Sequence, residues 1–365
     1  MKKTIFLFVL TVLFTVAGSA QKLEKPKLTP QPATPAQNTL IGEGIALHNA
    51  KRYDDAVKKY EAVLQENPDC TVAIYEMAFS LFSKPDRPKA VAMARRGAAY
   101  KSDQLARFYS IIASDLDDSG KSEEAIEVFK DAIKILKNDK TLAHQMGDVA
   151  YNMGITHFRR KEYNEARTIL KEGITANFAH PGSHFLLAEI FSGTRYKIPA
   201  VLAAMRFMGF ERQNPARVKR ASTIILDVLN KTEKDEKTGN INIFLDMGAP
   251  KDEGDYGLYE LLGSIGGIET DEDKAEKKTE GQRFVESIAS IIGMLADDKK
   301  LRGTFAGKTY IPYFDAMKKG GYHEPMAYII LQEAGNDEGI KWISINPRKV
   351  LEYHEWTRSY QAPAK

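Results

Sequence analysis

Cysteine is nearly missing from this sequence, and neither sign of charge dominates it. Cys70 is the only cysteine, so the chain cannot form an internal disulfide bond and must be stabilised by packed apolar side chains. We expect Cys70 to be buried, with a disulfide-linked dimer as the alternative. The 52 basic and 49 acidic residues give a net charge of +3. A charge so close to zero argues against binding to the phosphate backbone of a nucleic acid.

Long apolar runs are also missing, apart from a short one at the N-terminus. Lys2 and Lys3 precede an apolar run at 5–16, and small residues follow as far as Ala20. This order predicts a secretory signal peptide over residues 1–20, because a membrane span needs about 20 apolar residues. Without the two lysines, 50 basic residues face 49 acidic ones, a net charge of about +1. We expect a periplasmic or secreted chain with no later transmembrane segment. Because no cysteine stands near the signal-peptide cleavage site, we expect no lipid anchor. The alternative is that residues 1–20 remain as an uncleaved N-terminal anchor.

Small residues recur at a nearly fixed interval in the first two thirds of the chain. Five alanines are separated by 34, 35, 41 and 34 residues: Ala56, Ala90, Ala125, Ala166 and Ala200. If each alanine is position 20 of a 34-residue repeat unit, the five units begin at Gln37, Thr71, Ala106, Gly147 and Pro181. Position 8 is then small in every unit: Gly44, Ala78, Ala113, Gly154 and Ala188. Such a period indicates stacked units, and the spacing of their apolar positions predicts two helices in each.

This pattern resembles the tetratricopeptide repeat (TPR) family. The strongest matches are Gly44, Ala56, Tyr60 and Pro68 in unit one, and Gly154 and Ala166 in unit four. The resemblance implies an all-α fold, an α-solenoid of five TPR-like helical hairpins with a capping helix, over residues 37–229. The 41-residue interval leaves seven extra residues before Gly147, which we expect to lengthen a helix and change the local twist.

The rest of the chain divides into three parts. Residues 21–36 contain four prolines and predict an extended spacer that holds the repeats away from the N-terminus. Residues 230–254 predict a flexible linker, with an extended stretch at 240–245. Residues 255–365 predict about five short helices without the repeat period, and we treat them as a second, C-terminal helical region.

In TPR proteins the first helix of each unit lines a concave groove, chiefly through positions 2, 5, 9, 12 and 13. In this sequence those positions predict a partner-binding groove rich in aromatic side chains, formed by Tyr75, Phe79, Phe82, Arg107, Tyr151, Phe158, Arg159 and Phe185. An acidic patch is expected beside it at Asp115, Asp117 and Asp118. One branch of the family binds C-terminal carboxylates through Lys and Asn, but Ile41 and Ile45 stand at those positions here.

The composition of this groove predicts an extended or helical apolar peptide segment as ligand, with the arginines available for an acidic group. The alternative is that the N-terminal spacer or the C-terminal helices already cover these side chains.

Motifs for catalysis or metal binding are weak. Residues 303–309 have three residues between two glycines, where a phosphate-binding loop needs four. His180 and His184 have metal-like spacing without a carboxylate to complete the set, and His144 and His157 are interpreted as packing or surface residues. An acidic loop lacks the alternation of a calcium site and is expected to be solvated; its acids are Asp246, Asp252, Glu253 and Asp255. We expect no catalytic residue, no metal site and no cofactor.

The sequence therefore predicts a non-catalytic envelope adaptor or scaffold that binds a protein or peptide partner. An envelope enzyme is the alternative, with its active site in residues 255–365 and the repeats guiding substrate. In that case Lys308, Tyr310, His323 and nearby acids should converge in one cleft. A third interpretation is small-ligand binding between the two regions. The sequence leaves the partner and the oligomeric state open.

Overall fold

The computed structural model describes residues 23–211, 213–229, 233–234, 241–242, 250–266 and 268–360. Over these residues the chain is an all-α solenoid followed by further helices. The predicted signal peptide lies outside the described residues, as does most of the predicted linker at 230–254. None of the helices in the described ranges is both long and apolar enough to cross a membrane.

Five helical hairpins form the repeat stack, at the places that the alanine interval predicts. Their helices are α1 Pro35–Asn49, α2 Tyr53–Glu66, α3 Thr71–Ser83, α4 Arg87–Gly97, α5 Leu105–Asp118, α6 Ser122–Lys137, α7 Met146–Arg159, α8 Tyr163–Ala176, α9 Pro181–Gly193 and α10 Lys197–Phe210. Helix α11, Pro215–Leu229, follows as the predicted cap. All five alanines at position 20 are fully buried, which confirms the predicted solenoid.

Close helix crossings explain why position 8 is small. A side-chain carbon added to Gly44 would lie 2.5 Å from the ring of Tyr60, and one added to Gly154 would lie 2.9 Å from Leu170. Both distances are well below van der Waals contact, so a larger residue would push the two helices of the hairpin apart. The first and second helices of a unit therefore meet at these points.

The long interval before unit four is taken up mainly by a connecting segment. Helix α6 has 16 residues and α8 has 14, so the predicted lengthening is small. Residues 138–145 form the connection and end in the 3-10 helix Ala143–Gln145. The Gln145 side chain fixes this segment to the preceding unit: its amide oxygen accepts from the Ala106 N–H and its nitrogen donates to the Ser102 carbonyl, both at 2.9 Å.

Residues 23–34 of the predicted N-terminal spacer lie along the edge of the stack and do not stand clear of it, and its last two residues, 35–36, begin helix α1. The Leu28 N–H donates to the Ala99 carbonyl at 2.9 Å, and the Gln31 N–H donates to the Asp69 carbonyl at 3.0 Å. An extended, proline-rich backbone has no internal partners for these N–H groups, so it pairs them with nearby loops. We call residues 23–34 the N-terminal strap.

Eight α-helices lie within residues 250–360, in place of the five that were expected. They are α12 Gly257–Ile265, α13 Asp271–Glu276, α14 Glu280–Asp297, α15 Phe305–Thr309, α16 Ile311–Lys319, α17 His323–Glu333, α18 Asp337–Ile345 and α19 Pro347–Ser359. Two strands of two residues, β1 Glu233–Lys234 and β2 Ile241–Asn242, pair antiparallel before them. Residues 241–242, the described part of the extended stretch predicted at 240–245, are therefore extended.

A single apolar core joins the last units of the stack to the C-terminal region. Arg206 of α10 is fully buried in this core. Its guanidinium carbon lies 4.2 Å from the ring centres of Phe178 and Tyr313 and 4.1 Å from that of Phe210. It also donates to Thr357 Oγ1 at 3.2 Å. Arg206 thus ties α19 to the end of the stack.

Candidate peptide-binding groove

A cavity of about 260 Å³ opens on the face formed by the first helices α3, α5 and α7. It is lined by Tyr75, Phe79, Phe82, Arg107, Ser110, Ile111, Ser114, Asp148, Tyr151, Asn152 and His180. The three aromatic residues of α3 share a face because their spacings of four and three residues are each about one helical turn. Five of the eight residues predicted for the groove line this cavity.

Three rings form a nearly parallel row at one side of the cavity. The centroids of His48 and Phe79 are 4.7 Å apart with 20° between the planes, and those of Tyr75 and Phe79 are 5.9 Å apart with 8° between them. Phe79 remains 38% exposed. Exposed rings offer a ligand a rigid apolar surface that loses little conformational entropy on binding.

Arg107 supplies a positive charge at this cavity. Its guanidinium carbon lies 5.3 Å from the centre of the Tyr75 ring, a cation–π arrangement. Arg107 is exposed, and within the described ranges it forms no ion pair with a carboxylate, unlike Arg159. An acidic group of a ligand could therefore pair with Arg107 while its neighbouring residue contacts the rings.

Asp148 and His180 add a polar pair to the lining. His180 Nε2 lies 3.2 Å from Asp148 Oδ1. Burial favours the neutral carboxyl, but the hydrogen bond and the charge of His180 outweigh it and lower the pKa of Asp148. The Asn152 amide nitrogen donates to the Asp148 carbonyl at 2.9 Å and to Ser110 Oγ at 3.0 Å. These bonds hold the Asn152 amide in place and leave its oxygen as an acceptor.

Asp148, Asn152 and His180 were not predicted for the groove. Asp148 has position 2 in unit four, the position of Arg107 in unit three, so comparing that position across the units would have found it. Asn152 directly follows Tyr151, and His180 precedes the first residue of unit five. No signal in a single sequence marks these two as cavity residues.

Phe158 and Phe185 do not line this cavity, although they were predicted with it. The Phe158 ring packs on Tyr163, with centroids 5.7 Å apart. The Phe185 ring packs on Phe207 at 4.9 Å, and the guanidinium of Arg217 lies over it at 5.4 Å. Both rings are used in packing within or next to their own hairpins.

The predicted acidic patch is largely neutralised by ion pairs between units. Arg159 Nη1 lies 3.1 Å from Asp117 Oδ2 and 3.3 Å from Asp118 Oδ1. Arg87 Nη2 also pairs with Asp118, at 3.1 Å. Asp115 has no ion pair among the described residues. Arg159 and its two partners therefore connect neighbouring hairpins, and only Asp115 of the patch keeps its charge available.

The N-terminal strap and the C-terminal helices leave this cavity open. Every lining residue belongs to hairpins two to four or is His180 at the start of hairpin five. The strap bonds to the turns at Asp69 and Ala99, and the C-terminal helices pack on α10 and α11. Nothing in the described part of the chain fills the cavity.

The residues named for an enzymatic alternative are not gathered in one cleft. Tyr310 is fully buried, and its hydroxyl lies 2.9 Å from His184 Nδ1. Because His184 Nε2 donates to the Phe178 carbonyl at 3.0 Å, its Nδ1 accepts from Tyr310. Lys308 is exposed, and His323 is half-buried at the start of α17. Tyr310 therefore links the two regions of the chain through its hydrogen bond.

The glycine-containing segment 303–309 turns at its start and continues as the short helix α15. The Gly307 N–H donates to Thr304 Oγ1 at 2.9 Å. A side-chain carbon at Gly307 would lie 1.9 Å from the Leu301 carbonyl oxygen. The glycine is needed for this close backbone approach, and its N–H is already paired.

Two of the four acids of the loop near 250, Asp252 and Glu253, are paired with the stack, which corrects the expectation that the loop is solvated there. Asp255 is exposed, as expected, and Asp246 lies outside the described residues. Arg167 Nη2 lies 2.8 Å from Asp252 Oδ2, and Lys171 Nζ lies 2.6 Å from Glu253 Oε1. Within the described ranges, no group of three or more side chains is arranged to hold a metal ion. The cavity at this junction is small, about 180 Å³, and lysines and acids line much of it. It is not the closed apolar pocket that ligand binding between the regions would need.

No family model matches the chain, and no curated protein matches it either. Among solved structures it is similar to TTC0263, a thermophilic TPR protein of Thermus thermophilus, at 18% identity over 52% of this chain and 99% of that one, with a TM-score of 0.41. It is also similar to PilF of Pseudomonas aeruginosa, at 18% identity over 53% of this chain and 85% of that one, with a TM-score of 0.40. The type IV pilus biogenesis factor PilW is similar at 18% identity over 53% of this chain and 86% of that one, also with a TM-score of 0.40. The helices of this chain, taken by themselves, form a TPR-like α-solenoid with a C-terminal helical region.

Proposed function

We propose that this chain is a non-catalytic scaffold that binds a protein or peptide partner in the groove lined by α3, α5 and α7. One observation carries the proposal: the exposed ring of Phe79, half-buried tyrosine and phenylalanine rings beside it and an arginine without an ion pair share a cavity that no other described segment fills. Exposed aromatic and arginine side chains are the residue types that contribute most to binding energy at protein interfaces.

The lining favours a short apolar segment that carries an acidic group. The rings of Phe79 and Tyr75 would contact an apolar or aromatic side chain of the partner. Arg107 would pair with its acidic group, and Asn152 could accept a hydrogen bond from its backbone. The ionised Asp148 disfavours a second acidic group at that end of the cavity.

We also propose that this scaffold works outside the cytoplasm, in the periplasm or as a secreted protein. The support is the N-terminal pattern of lysines, apolar residues and small residues over 1–20. The near-neutral charge supports a protein partner over a nucleic acid.

The test is selection of peptides from a random library by the full chain, followed by fluorescence anisotropy with the selected peptides. Phe79→Ala and Arg107→Ala should each weaken binding by about tenfold or more, because each removes a central contact. Leu351→Ala is the control, since Leu351 is 54% exposed but lies in α19. Unchanged affinity in both groove variants would rule out the groove.

A further inference from the structure

A larger cavity, of about 510 Å³, lies between the second helices α6 and α8 of units three and four. Its buried lining is apolar and consists of Ile133, Met153 and Ile169, together with the imidazole of His157. Its exposed lining is polar and consists of Lys130, Asn164, Glu165, Thr168 and Glu172. We call it the α6–α8 cleft. Met153 and His157 belong to the first helix α7, but the cleft shares no lining residue with the groove.

Ion pairs connect the two units at both ends of α6. Near its start, Arg160 Nη1 lies 2.6 Å from Glu123 Oε1. At its end, Lys137 Nζ lies 2.8 Å from Glu172 Oε2. These contacts connect units three and four at the place where the long interval inserts residues 138–145. The cleft is therefore already formed in the free chain, as small-ligand sites usually are.

His157 gives this cleft an oriented polar atom. Its side chain is only 9% exposed, and its Nδ1 lies 2.7 Å from Glu162 Oε2. A carboxylate accepts hydrogen bonds, so Nδ1 carries a proton, and in the tautomer whose single proton is on Nδ1 the Nε2 atom is an acceptor. Glu162 is held in turn by Arg160 Nε at 2.8 Å. Among the described residues, no donor is bonded to His157 Nε2.

We propose that the α6–α8 cleft binds a small apolar molecule with one hydrogen-bond donor. The donor bonds to His157 Nε2, and the apolar body packs on Ile133, Met153 and Ile169. The volume lies within the roughly 300–1,000 Å³ that is usual for small-molecule sites. Both signs of charge stand on the exposed lining, so the cleft favours a neutral ligand over a charged one.

Two probes with the same aromatic body separate this site from general apolar binding. 2-Naphthol has a hydroxyl donor, and 2-methoxynaphthalene does not. In titrations of the full chain followed by ligand-detected NMR, 2-naphthol should bind about 3- to 10-fold more tightly, the usual contribution of one hydrogen bond. His157→Phe should remove this preference, because it keeps a ring and loses the acceptor. Equal affinity in the unmodified chain, or a preference that survives His157→Phe, overturns the proposal.

Two variants on α8 test the location without touching the core. Thr168 and Thr175 are both exposed, and each hydroxyl donates to the carbonyl four residues earlier at 2.8 Å. Only Thr168 lines the cleft. Thr168→Phe should therefore abolish binding of both probes, whereas Thr175→Phe should leave it unchanged. Equal probe binding by the two variants would show that the site is elsewhere. Loss of 2-naphthol binding in Phe79→Ala would place it in the groove instead, which also overturns the proposal.

Discussion

Small residues shape the repeat stack, and large aromatic rings shape the C-terminal region. In the stack, glycine and alanine allow the two helices of each hairpin to cross closely, as at Gly44 and Gly154. In the C-terminal region, the Trp356 ring stacks on Tyr322 at 4.9 Å and on Tyr313 at 5.1 Å. A crossing that recurs in five units leaves a period in the sequence, whereas one cluster of interlocking rings leaves none.

The two regions nevertheless use the same local turn. The residue in the middle of the turn has a positive φ in both: 60° at Lys51 and 62° at Lys161 in the stack, and 77° at Gly321 and 81° at Gly335 in the C-terminal region. In each case the following N–H donates to a carbonyl five residues earlier, such as that of Leu331 for the last turn. The regions therefore differ in how helices pack and agree in how hairpins turn.

The prediction with the largest expected effect on stability tests whether the repeat stack and the C-terminal region unfold together. Tyr353→Ala should lower the free energy of unfolding by about 3–5 kcal/mol, because Tyr353 is a fully buried ring in the shared core. Both tryptophans, Trp342 and Trp356, lie in the C-terminal region. Their fluorescence should therefore report that region, while far-UV circular dichroism mainly reports the stack.

Because the core is shared, the two signals should shift together in Tyr353→Ala during denaturant unfolding. A shift of the fluorescence transition alone would mean that the C-terminal region unfolds independently. Leu351→Ala is the control, since Leu351 is 54% exposed in α19, and it should cost less than about 1 kcal/mol.

A second prediction concerns a close crossing between neighbouring units, where α4 meets α5. A side-chain carbon at Gly97 would lie 2.2 Å from the buried ring of Phe108. Gly97→Ala should therefore destabilise the chain by about 1–3 kcal/mol through overpacking. Gly42, which has no atom within 4 Å of such a carbon, is the matched site. Gly42→Ala should stabilise helix α1 by up to about 1 kcal/mol, and similar effects at both sites in thermal unfolding would contradict the crossing explanation.

A third prediction uses the buried imidazole between the regions. Burial, and after it the charge of Arg206, lower the pKa of His184 well below its ordinary 6.5. The folded chain then binds fewer protons at this site than the unfolded chain, so its stability falls as the pH drops below about 6.5. Between pH 6.5 and 5 the loss from this site should be about 1–2 kcal/mol.

His184→Gln removes the titrating group and keeps a donor and an acceptor for Phe178 and Tyr310. Urea unfolding of both proteins across this pH range should give a smaller slope for the variant. Parallel curves would mean that His184 does not contribute to the pH dependence.

The prediction with the smallest expected effect on stability concerns the turn with a positive φ that both regions use. Lys161→Gly should stabilise the chain by about 0.5–1 kcal/mol, because a positive φ is unfavourable for a residue with a side chain. Gly335→Ala should have the opposite effect, a loss of about 1 kcal/mol. Thermal unfolding measures both. Effects of the same sign would contradict the interpretation that the two regions use one turn.

Much of the groove could be predicted from repeat positions, since Tyr75, Phe79 and Arg107 follow directly from them. Repeat position alone does not show whether a side chain already has a partner within the chain, as the Phe158 ring and Arg159 do. Arg159 is paired with Asp117 across the units, and that depends on the twist between hairpins. The α6–α8 cleft could not be predicted either, because His157 reads as a packing residue until its two neighbouring helices are placed.

The sequence by itself determined the five hairpins, their boundaries and the first-helix face that carries Tyr75 and Phe79. It could do so because each hairpin is a local structure, built from residues within one repeat length. Only the tertiary structure decided the burial of Arg206, the pairing of His184 with Tyr310 and the docking of the strap. His184 and Tyr310 are 126 residues apart, and no periodic pattern connects side chains at such a distance.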